Sequence, residues 1–463
     1  MKVKKGQHIE AQIEDLAFGG QGIARVNGLA VFVDQAVPLD RIRAVVVKKK
    51  KQFAVARVIE ILEASPYRIA PPCPYSGYCG GCKWQFLMYD QQLQHKQRHV
   101  AETLQHIGGI SEVAVHTTIP SDLVFGYRNK MEFSCSNQRW LLPEEMGQEG
   151  IEKGFALGLH VPGTFDKIID TQACLLQPKL GNQILREVSS YLRRSGRQMY
   201  GIRSHTGFWR FLMLRSADTF GNWMVNFVTA SEDRKEIQPL ADRLIEKYPQ
   251  VVSVVNNITS RKASVAVGEY EIRLAGDSSL KEKIGSYEFE ISANSFFQTN
   301  TRGAERLYAV VKDYASLSGT EAVLDLYSGT GAISIFLADS AREVLGIEIN
   351  EEAVTDAERN CRRNMIANGS FIHADVKICL PELSFKPEVM IIDPPRAGMH
   401  KDVVIQVMKM LPQKIVYVSC NPATLARDLG IIKECYDVLE VQPIDMFPHT
   451  PHIESVARLE RKE

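Results

Sequence analysis

The sequence predicts an α/β protein with a Rossmann-like domain at residues 286–463, an OB-like β-barrel at 1–60 and a central α+β domain at 61–285. Three observations lead there. After about residue 290, apolar strand-like runs alternate with helical ones, the pattern of a doubly wound parallel sheet. Before residue 60, short β-branched runs are broken by glycine turns, which suits a small barrel. Between these segments, strand-like and helix-like runs mix without a fixed order.

VFVDQAV and AVVVKKKKQFAVARVIEIL read as barrel strands, with FGGQGIARVNG supplying turns. The proline-rich SPYRIAPPCPY (65–75) predicts a linker. YDQQLQHKQRHVAETLQHIGG (89–109) has helical periodicity and ends on Gly-Gly, a helix stop. That helix is a candidate to pack on the C-terminal domain, which would make the central domain discontinuous. MEFSCS, GFALGLH, WRFLMLRSA and WMVNFVTA predict antiparallel strands, and LGNQILREVSSYLRRSG and ADRLIEKY predict helices. The acidic PEEMGQEGIEK (143–153) is expected to be a hairpin excursion. In the last third, AVLDLYSG, EVLGIEIN, FIHAD, VMIIDPPR, IVYVSCNP and VARLERK are the expected strands. GAISIFLADS and EEAVTDAERNCRRNMIAN are helices between them. Sheets of this kind bind ligands at the carboxyl ends of their strands, so chemistry is sought there.

Composition narrows the function classes. Hydrophobic residues make up 45% and charged residues 24%, as in globular proteins. No stretch approaches the ~18 apolar residues of a membrane span, and MKVKKGQHIE lacks the apolar core of a secretory signal. A cytoplasmic protein with no membrane partner is expected. Formal net charge is +0, so overall charge announces no polyanion partner. Residues 1–60, however, hold 11 Lys or Arg against 6 Asp or Glu, and Lys48 to Lys51 are consecutive. Such a patch suits a phosphate backbone, and a solvated loop explains it equally well. No heptad or apolar edge demands a protein partner, so a monomer is expected.

DLYSGTGAIS (325–334) follows an apolar strand and opens a helix. Gly329 and Gly331 allow a tight turn and close backbone approach to a ligand. Glu348 ends the next strand, where an acid can bond both hydroxyls of a ribose. Position 334 is Ser, so the third glycine of the dinucleotide fingerprint is missing. That disfavours a nicotinamide dehydrogenase and favours a nucleoside without pyrophosphate, S-adenosylmethionine being the candidate. A plain strand–turn–helix junction is the alternative. Asp375 ends the third strand, placed to accept from an adenine amino group, and Asp393 ends the fourth. In IIDPPR the residue after Pro-Pro is Arg396, not the Tyr of amino-group methyltransferases, which weakens an N-methylation reading.

VYVSCNPATLARD (416–428) puts Cys420 at the end of an apolar strand, with Asn421 and Pro422 forcing a loop. A structural cysteine sits more often in mid-strand facing the core, whereas an edge thiol can be exposed and activated. Thiolate addition to carbon 6 of uracil would turn carbon 5 into a nucleophile. A base must then remove the carbon-5 proton. Glu454, expected just before the last strand, is a candidate, since a partly dehydrated carboxylate can serve near neutral pH. A surface carboxylate is the competing reading.

LDLYSGTGAIS, GIEIN, IIDPPRAG, VYVSCNPATLARD and PHTPHIESVARLER resemble the RNA (uracil-5-)-methyltransferase family, and so does ANSFFQTN (293–300). The resemblance implies that Cys420 is the nucleophile and Glu454 the base. It also implies that Gln298, Tyr327, Glu348 and Asp393 contact S-adenosylmethionine. Some members carry Asn where this chain has Ala332, so one cofactor contact is missing or comes from backbone. Residues 1–60 resemble the TRAM domain, an RNA-binding barrel. YRNKMEFS (127–134) and GLH (158–160) resemble central-domain motifs, with Arg128 and Lys130 as candidate RNA contacts or hairpin residues. A cytosine-directed relative would show Pro-Cys, but Ser419 precedes Cys420. A non-catalytic RNA-binding factor is disfavoured by the intact Cys420, Glu454 and glycine loop. The target base is expected to be flipped out of its stack before attack.

Nine cysteines in a cytosolic context argue against a disulfide framework. Cys73, Cys79 and Cys82 form C-x5-C-x2-C, open on spacing alone to zinc or an iron–sulfur cluster. Cys174 is the best fourth candidate, because Cys135 alternates within a strand and reads as core. The resemblance favours a [4Fe-4S] cluster, as in the 23S rRNA branch of the family, with 23S rRNA as substrate. By the same resemblance the tRNA branch lacks both barrel and cysteines. Four protein ligands leave no iron open, so the cluster is expected to be structural or to aid RNA binding.

Overall fold

The computed structural model describes residues 3–263 and 265–463. Six strands, His8–Gln12, Asp15–Leu16, Gly22–Val26, Leu29–Asp34, Arg41–Lys49 and Phe53–Glu63, form the N-terminal barrel. Alternation sends Ile42, Ala44 and Val46 into its core. It turns Arg41 and Arg43 outward onto Glu63, Glu10 and Glu60. The sheet curls back on itself, His8–Gln12 at one edge meeting Gly22–Val26 near the other. Lys48–Lys51 make the largely exposed tip between the two longest strands.

The proline-rich run is docked rather than loose. Asp40, fully buried, accepts from Arg68 Nη2 at 2.5 Å and from the Ser65 amide at 2.9 Å. The buried Trp84 indole donates to the Gly20 carbonyl at 3.2 Å. The prolines signal absence of regular structure, not absence of contacts.

The central sheet has eight strands, ordered Tyr270–Gly276, Val251–Ile258, Trp223–Thr229, Trp209–Ser216, Lys130–Ser136, Ala156–His160, Ile168–Asp170 and Arg139–Trp140. The four strands expected to be antiparallel pair that way with one another. Helices Lys179–Arg194 and Arg234–Lys247 bury Ile184, Val188 and Leu240 against Phe133, Trp209 and Phe227. The acidic excursion lies, as expected, in the connection between two antiparallel strands, Lys130–Ser136 and Ala156–His160. Arg139–Trp140 crosses to pair in parallel with Ile168–Asp170, on the far side of Ala156–His160.

The C-terminal sheet is ordered Gly369–His373, Glu343–Glu348, Ala322–Leu326, Val389–Ile392, Lys414–Ser419, Glu454–Arg461, Tyr436–Ile444 and Ala114–Val115. Its first five strands are parallel. The last three of them are buried on both faces, hence their near-continuous apolar runs. Glu454–Arg461 runs antiparallel to both its neighbours, and Tyr436–Ile444 pairs antiparallel with it and parallel with Ala114–Val115. Tyr436–Ile444 was not legible in the sequence, because Pro443 reads as a breaker. Helix Tyr89–His106 packs on helix Pro422–Ile432, burying Val100 and Leu104 with Leu425, Ala426 and Leu429. Ala114–Val115 supplies the sheet's last edge, so this stretch of chain joins the C-terminal body before the central sheet begins. The expected boundary after residue 285 falls in the turn of a hairpin, Ser279–Ile284 with Tyr287–Ser292. Ile284, Phe289 and Ile291 of that hairpin share a core with helix Thr301–Ala315 of the C-terminal body. Among the described residues no helix is long and apolar enough to cross a membrane.

Candidate active site and a four-cysteine cavity

Most of the expected site residues stand at the carboxyl edge of the C-terminal sheet, where short polar side chains end each loop. Asn350 accepts from the Ala353 amide and Asn421 from the Ala423 amide, each capping the helix that follows. Pro422 occupies the first helical position, where its missing N–H costs nothing. The glycine loop crosses left-handed φ at Tyr327 (64°), Gly329 (53°) and Gly331 (75°). A Cβ on Gly331 would lie 2.8 Å from Phe371 Cζ and 3.0 Å from Ala357 Cβ, so only glycine fits. Glu348 is locked in place, accepting from the Gly329 amide at 3.0 Å and the Asn350 amide at 2.9 Å. Asp375 lies just beyond its strand, but its Oδ1 is taken up as a cap by the Lys377 amide at 2.8 Å.

Cys420 and Glu454 meet because the last strand is antiparallel. Ser419 pairs with Ser455, and continuing that register by one sets Cys420 opposite Glu454. Glu454 therefore opens the strand rather than preceding it, and it is buried. Burial, and then Asp393, raises its carboxyl well above the usual range, while Arg396 opposes. Burial pushes the Cys420 thiol up to about 11, with Glu454 and Asp393 adding to the rise and Arg396 countering it. The edge position thus does not activate the thiol by exposure. Cys420 is half-buried and faces two acids, and Arg396 is the cation that favours its thiolate. Asp393 is carried to about 7 by burial and by Asp325. Asp325 also stands near 7 through burial, although Ser334 Oγ donates to it at 2.5 Å. Its Oδ1 and the buried Ser328 Oγ have no protein partner.

Gln298 borders this group, hydrogen-bonding the buried Tyr308 hydroxyl, whose pKa also responds to Asp393 and Glu454. Its segment is held by the central sheet. Asn129 Nδ2 donates to the Gln298 carbonyl and to Thr301 Oγ1, both at 2.9 Å, and Arg215 Nη2 donates to the Ser295 carbonyl at 2.8 Å. The motif YRNK acts structurally here through Asn129, between the two cations that the sequence singled out. Of those, Lys130 pairs with Glu132 at 2.8 Å, and Arg128 Nε donates to the Lys130 carbonyl at 3.0 Å. Asn129, Arg215, Asp325 and Arg396 escaped the sequence reading as site residues. Asp325 sits inside the quoted glycine-loop motif, and Arg396 was noted only as not being Tyr. Phe296, two residues before Gln298, is 68% exposed, a large aromatic left open beside the site.

The four singled-out cysteines, Cys73, Cys79, Cys82 and Cys174, all border one cavity of about 400 Å³. Burial raises every one of these thiols, Cys79 to about 11 and Cys82 to about 12, and Cys79, Cys82 and Cys174 also respond to others of the group. The buried Gln85 side chain bonds both Cys73 and Cys82. Asn182 fixes Cys174 through its amide at 2.8 Å and its carbonyl at 3.0 Å. Cys135 is buried in its strand, outside the cavity lining, as its alternation implied. Arg128, Thr299, Phe447, Thr450 and His452 complete the walls, so the cavity reaches the segment that ends in Glu454.

The fold is that of a methyltransferase, and comparison with known proteins agrees. The model of the family described as tRNA (Uracil-5-)-methyltransferase matches residues 229–462, and that of the TRAM domain matches residues 2–59. An uncharacterized RNA methyltransferase of Chlorobaculum tepidum is 41% identical over 474 residues, spanning 100% of this chain and 98% of the relative. One from Halalkalibacterium halodurans is 38% identical, spanning 99% and 98%. The crystal structure of Pyrococcus abyssi tRNA (uracil-54, C5)-methyltransferase with S-adenosyl-L-homocysteine superposes with TM-score 0.75 and 29% identity, covering 97% of this chain and 100% of that one. The chain belongs to the RNA (uracil-5-)-methyltransferase family and carries an N-terminal TRAM domain.

Proposed function

We propose that this protein methylates carbon 5 of a uridine in RNA, with Cys420 as covalent nucleophile and Glu454 as base. The observation that carries it is the register that sets Cys420 opposite Glu454 at the sheet edge where the glycine loop opens. S-adenosylmethionine, bound there, supplies an electrophilic methyl group. The residues present fit it. Glu348 suits a ribose, and the unpartnered Asp325 Oδ1 and Ser328 Oγ offer buried acceptor capacity toward a cationic ligand. Gln298, Tyr327, Asp375 and Asp393 are the remaining candidates around it, with Gly329 and Gly331 permitting close approach.

The thiolate of Cys420 adds to carbon 6, forming a C–S bond and moving the ring's π electrons onto an enolate that reaches carbon 5. Carbon 5 then takes the methyl group. Glu454 removes the proton left on carbon 5, the double bond re-forms, and the C–S bond breaks to return the thiolate. Arg396 favours the ionised forms that both side chains must pass through.

A [4Fe-4S] cluster on Cys73, Cys79, Cys82 and Cys174 is part of this reading. Four thiols lining one cavity are the donor set it needs. Among the described residues no group of three or more His, Cys, Asp or Glu forms a site for a metal ion as they stand. A single zinc would draw thiols to within about 4 Å of one another, at ~2.3 Å from the metal, whereas a cluster gives each thiolate its own iron.

The cysteines favour 23S rRNA as substrate. A tRNA is the second reading, and the near full-length likeness to a tRNA (uracil-54, C5)-methyltransferase supports it. That likeness spans 97% of this chain and so reaches into the barrel, which means the barrel does not argue against tRNA. Labelled S-adenosylmethionine offered with unmodified 23S rRNA and with tRNA decides between them. The expected product is 5-methyluridine in 23S rRNA, absent with Cys420→Ala. Label in tRNA keeps the chemistry and replaces the substrate. No label in either RNA overturns the reading.

A further inference from the structure

The segment from Asp445 to Glu454 is gripped from all sides by parts of the chain far from it in sequence. Lys96 Nζ, fully buried, donates to Asp445 Oδ1 at 2.6 Å and to the Phe447 carbonyl at 3.2 Å. Asn300 Nδ2 holds the Met446 carbonyl at 2.9 Å, and the Tyr127 hydroxyl holds the Pro448 carbonyl at 3.1 Å. At His449 the backbone is left-handed, φ 66°. Its amide donates to Gln92 Oε1 at 2.8 Å, its ring stacks on Phe125 at 4.3 Å, and its carbonyl takes two amides, Lys83 at 2.9 Å and Trp84 at 3.0 Å.

Those last two bonds come from the cysteine loop. Lys83 follows Cys82 directly, and the same loop carries Cys79 and the thiol-bonding Gln85. Helix and core contacts explain the other bonds as ordinary packing. The pair from Lys83 and Trp84 is different, because it comes from a stretch, residues 73–88, that holds no helix or strand. Trp84 is anchored by burial, by its indole on the Gly20 carbonyl and by Gln92 on its own carbonyl, and Lys83 by its Nζ on the Gly19 carbonyl, while the chain just before them, Cys79 to Cys82, borders the four-thiol cavity. On the far side of His449, Thr450 and His452 line the same cavity, and Glu454 follows two residues later.

We propose that the four-thiol centre braces the segment carrying Glu454: occupancy by the cluster fixes the Cys79–Gln85 loop, the Lys83 and Trp84 amides hold His449, and the base is thereby kept opposite Cys420. This rests on the cluster reading above and adds a role for it. Lys83, Trp84 and His449 are positioning residues, acting on the proton-removal step through Glu454. Loss of the brace therefore has a signature that general damage lacks. Cofactor binding and methyl transfer continue, while elimination slows and the methylated enzyme–RNA adduct outlives its normal turnover.

The test uses the full-length protein in three forms: purified without oxygen, stripped of iron with ferricyanide and EDTA, and as Cys82→Ser. Iron and sulfide content identify the loaded form. In both cluster-free forms, amides of residues 446–454 are expected to exchange at least about tenfold faster, with residues 322–350 unchanged. Labelled protein–RNA adduct is expected to accumulate on denaturing gels. If Cys82→Ser does not fold, the stripped wild type carries the comparison alone. Unchanged exchange at 446–454 in protein lacking iron, or activity lost with no adduct, overturns the brace and leaves the cluster reading standing. Absence of iron and sulfide from the protein purified without oxygen removes the cluster reading and the brace together.

Discussion

At the carboxyl edge of the C-terminal sheet, Tyr327, Glu348, Asp375, Asp393, Cys420 and Glu454 each lie at a strand end or within two residues of one. Around the four-cysteine cavity no cysteine does better than Cys174, in the loop that leaves Ile168–Asp170. The first group is placed by the sheet's hydrogen-bond ladder, which tolerates a changed side chain. The second is placed by side chains capping loops: Asn182 on Cys174, and Gln85 on Cys73 and Cys82. A change at the edge should therefore alter chemistry and spare the fold. A change around the cavity should move backbone.

Glu454→Gln should have the largest effect at the edge. The amide keeps the shape of the side chain and removes the base, so turnover should fall by about 10³-fold or more, in the range for a lost acid–base group. Cofactor affinity should stay within about threefold, and methylated protein–RNA adduct should accumulate. Thermal unfolding should not be lowered, since a buried, uncompensated carboxyl has been removed. A fall of several degrees in Tm would mean that the edge is not independent of the fold, and the contrast between the regions would collapse.

Arg396→Leu comes next, because it withdraws the single cation named against both raised groups. Both the Cys420 thiol and the Glu454 carboxyl would then ionise at higher pH. Each is active in its deprotonated form, so the rising limb of the pH–rate profile should move to higher pH. The rate at pH 7 should drop about 10- to 100-fold, one to two pKa units each being a tenfold change in the ionised fraction. Arg396→Lys should recover part of it. A profile that keeps its midpoint would show that Arg396 contacts RNA and does not tune the pair.

How far the sequence reached follows the same division. The strands, the glycine loop and the edge residues were legible, since period, turn chemistry and strand ends are local properties. The meeting of Cys420 with Glu454 was legible only through the family resemblance, because it depends on an antiparallel register that no local pattern reveals. Asn129 was not legible, because its role is to hold the Gln298 segment from another sheet. Tyr436–Ile444 was hidden by Pro443, and the docking of residues 65–75 was hidden by their prolines. The candidate cysteines were found from spacing and context, but their tie to His449 is backbone-to-backbone and leaves no mark in the residues concerned.

Gly331→Ala sharpens the comparison by straining the edge itself. The added Cβ meets Phe371 and Ala357 at 2.8 and 3.0 Å in a backbone with φ 75°. Strain of about 1–2 kcal/mol is expected for a non-glycine residue held there. Because the loop is the candidate cofactor cradle, S-adenosylmethionine binding by calorimetry should weaken by about tenfold, with iron content unchanged. Equal affinity would take the loop out of the cofactor site.

The barrel tip offers the smallest effect and a different situation from both regions, charges carried into solvent at the end of a ladder. Arg41 and Arg43 are already neutralised by Glu63, Glu10 and Glu60, so Lys48–Lys51 are the tip's main positive charge. Replacing all four with Ser should leave Tm and cofactor binding as they are. If the tip lies on the RNA phosphates, affinity at moderate salt should fall about 3- to 10-fold, and the slope of log K against log salt should flatten by up to about 0.7 per lysine lost. The slope is the sharper readout, since it counts released counterions and ignores shape. An unchanged slope would make the tip a solvated turn and hand RNA binding to the surface around Phe296 and the active site.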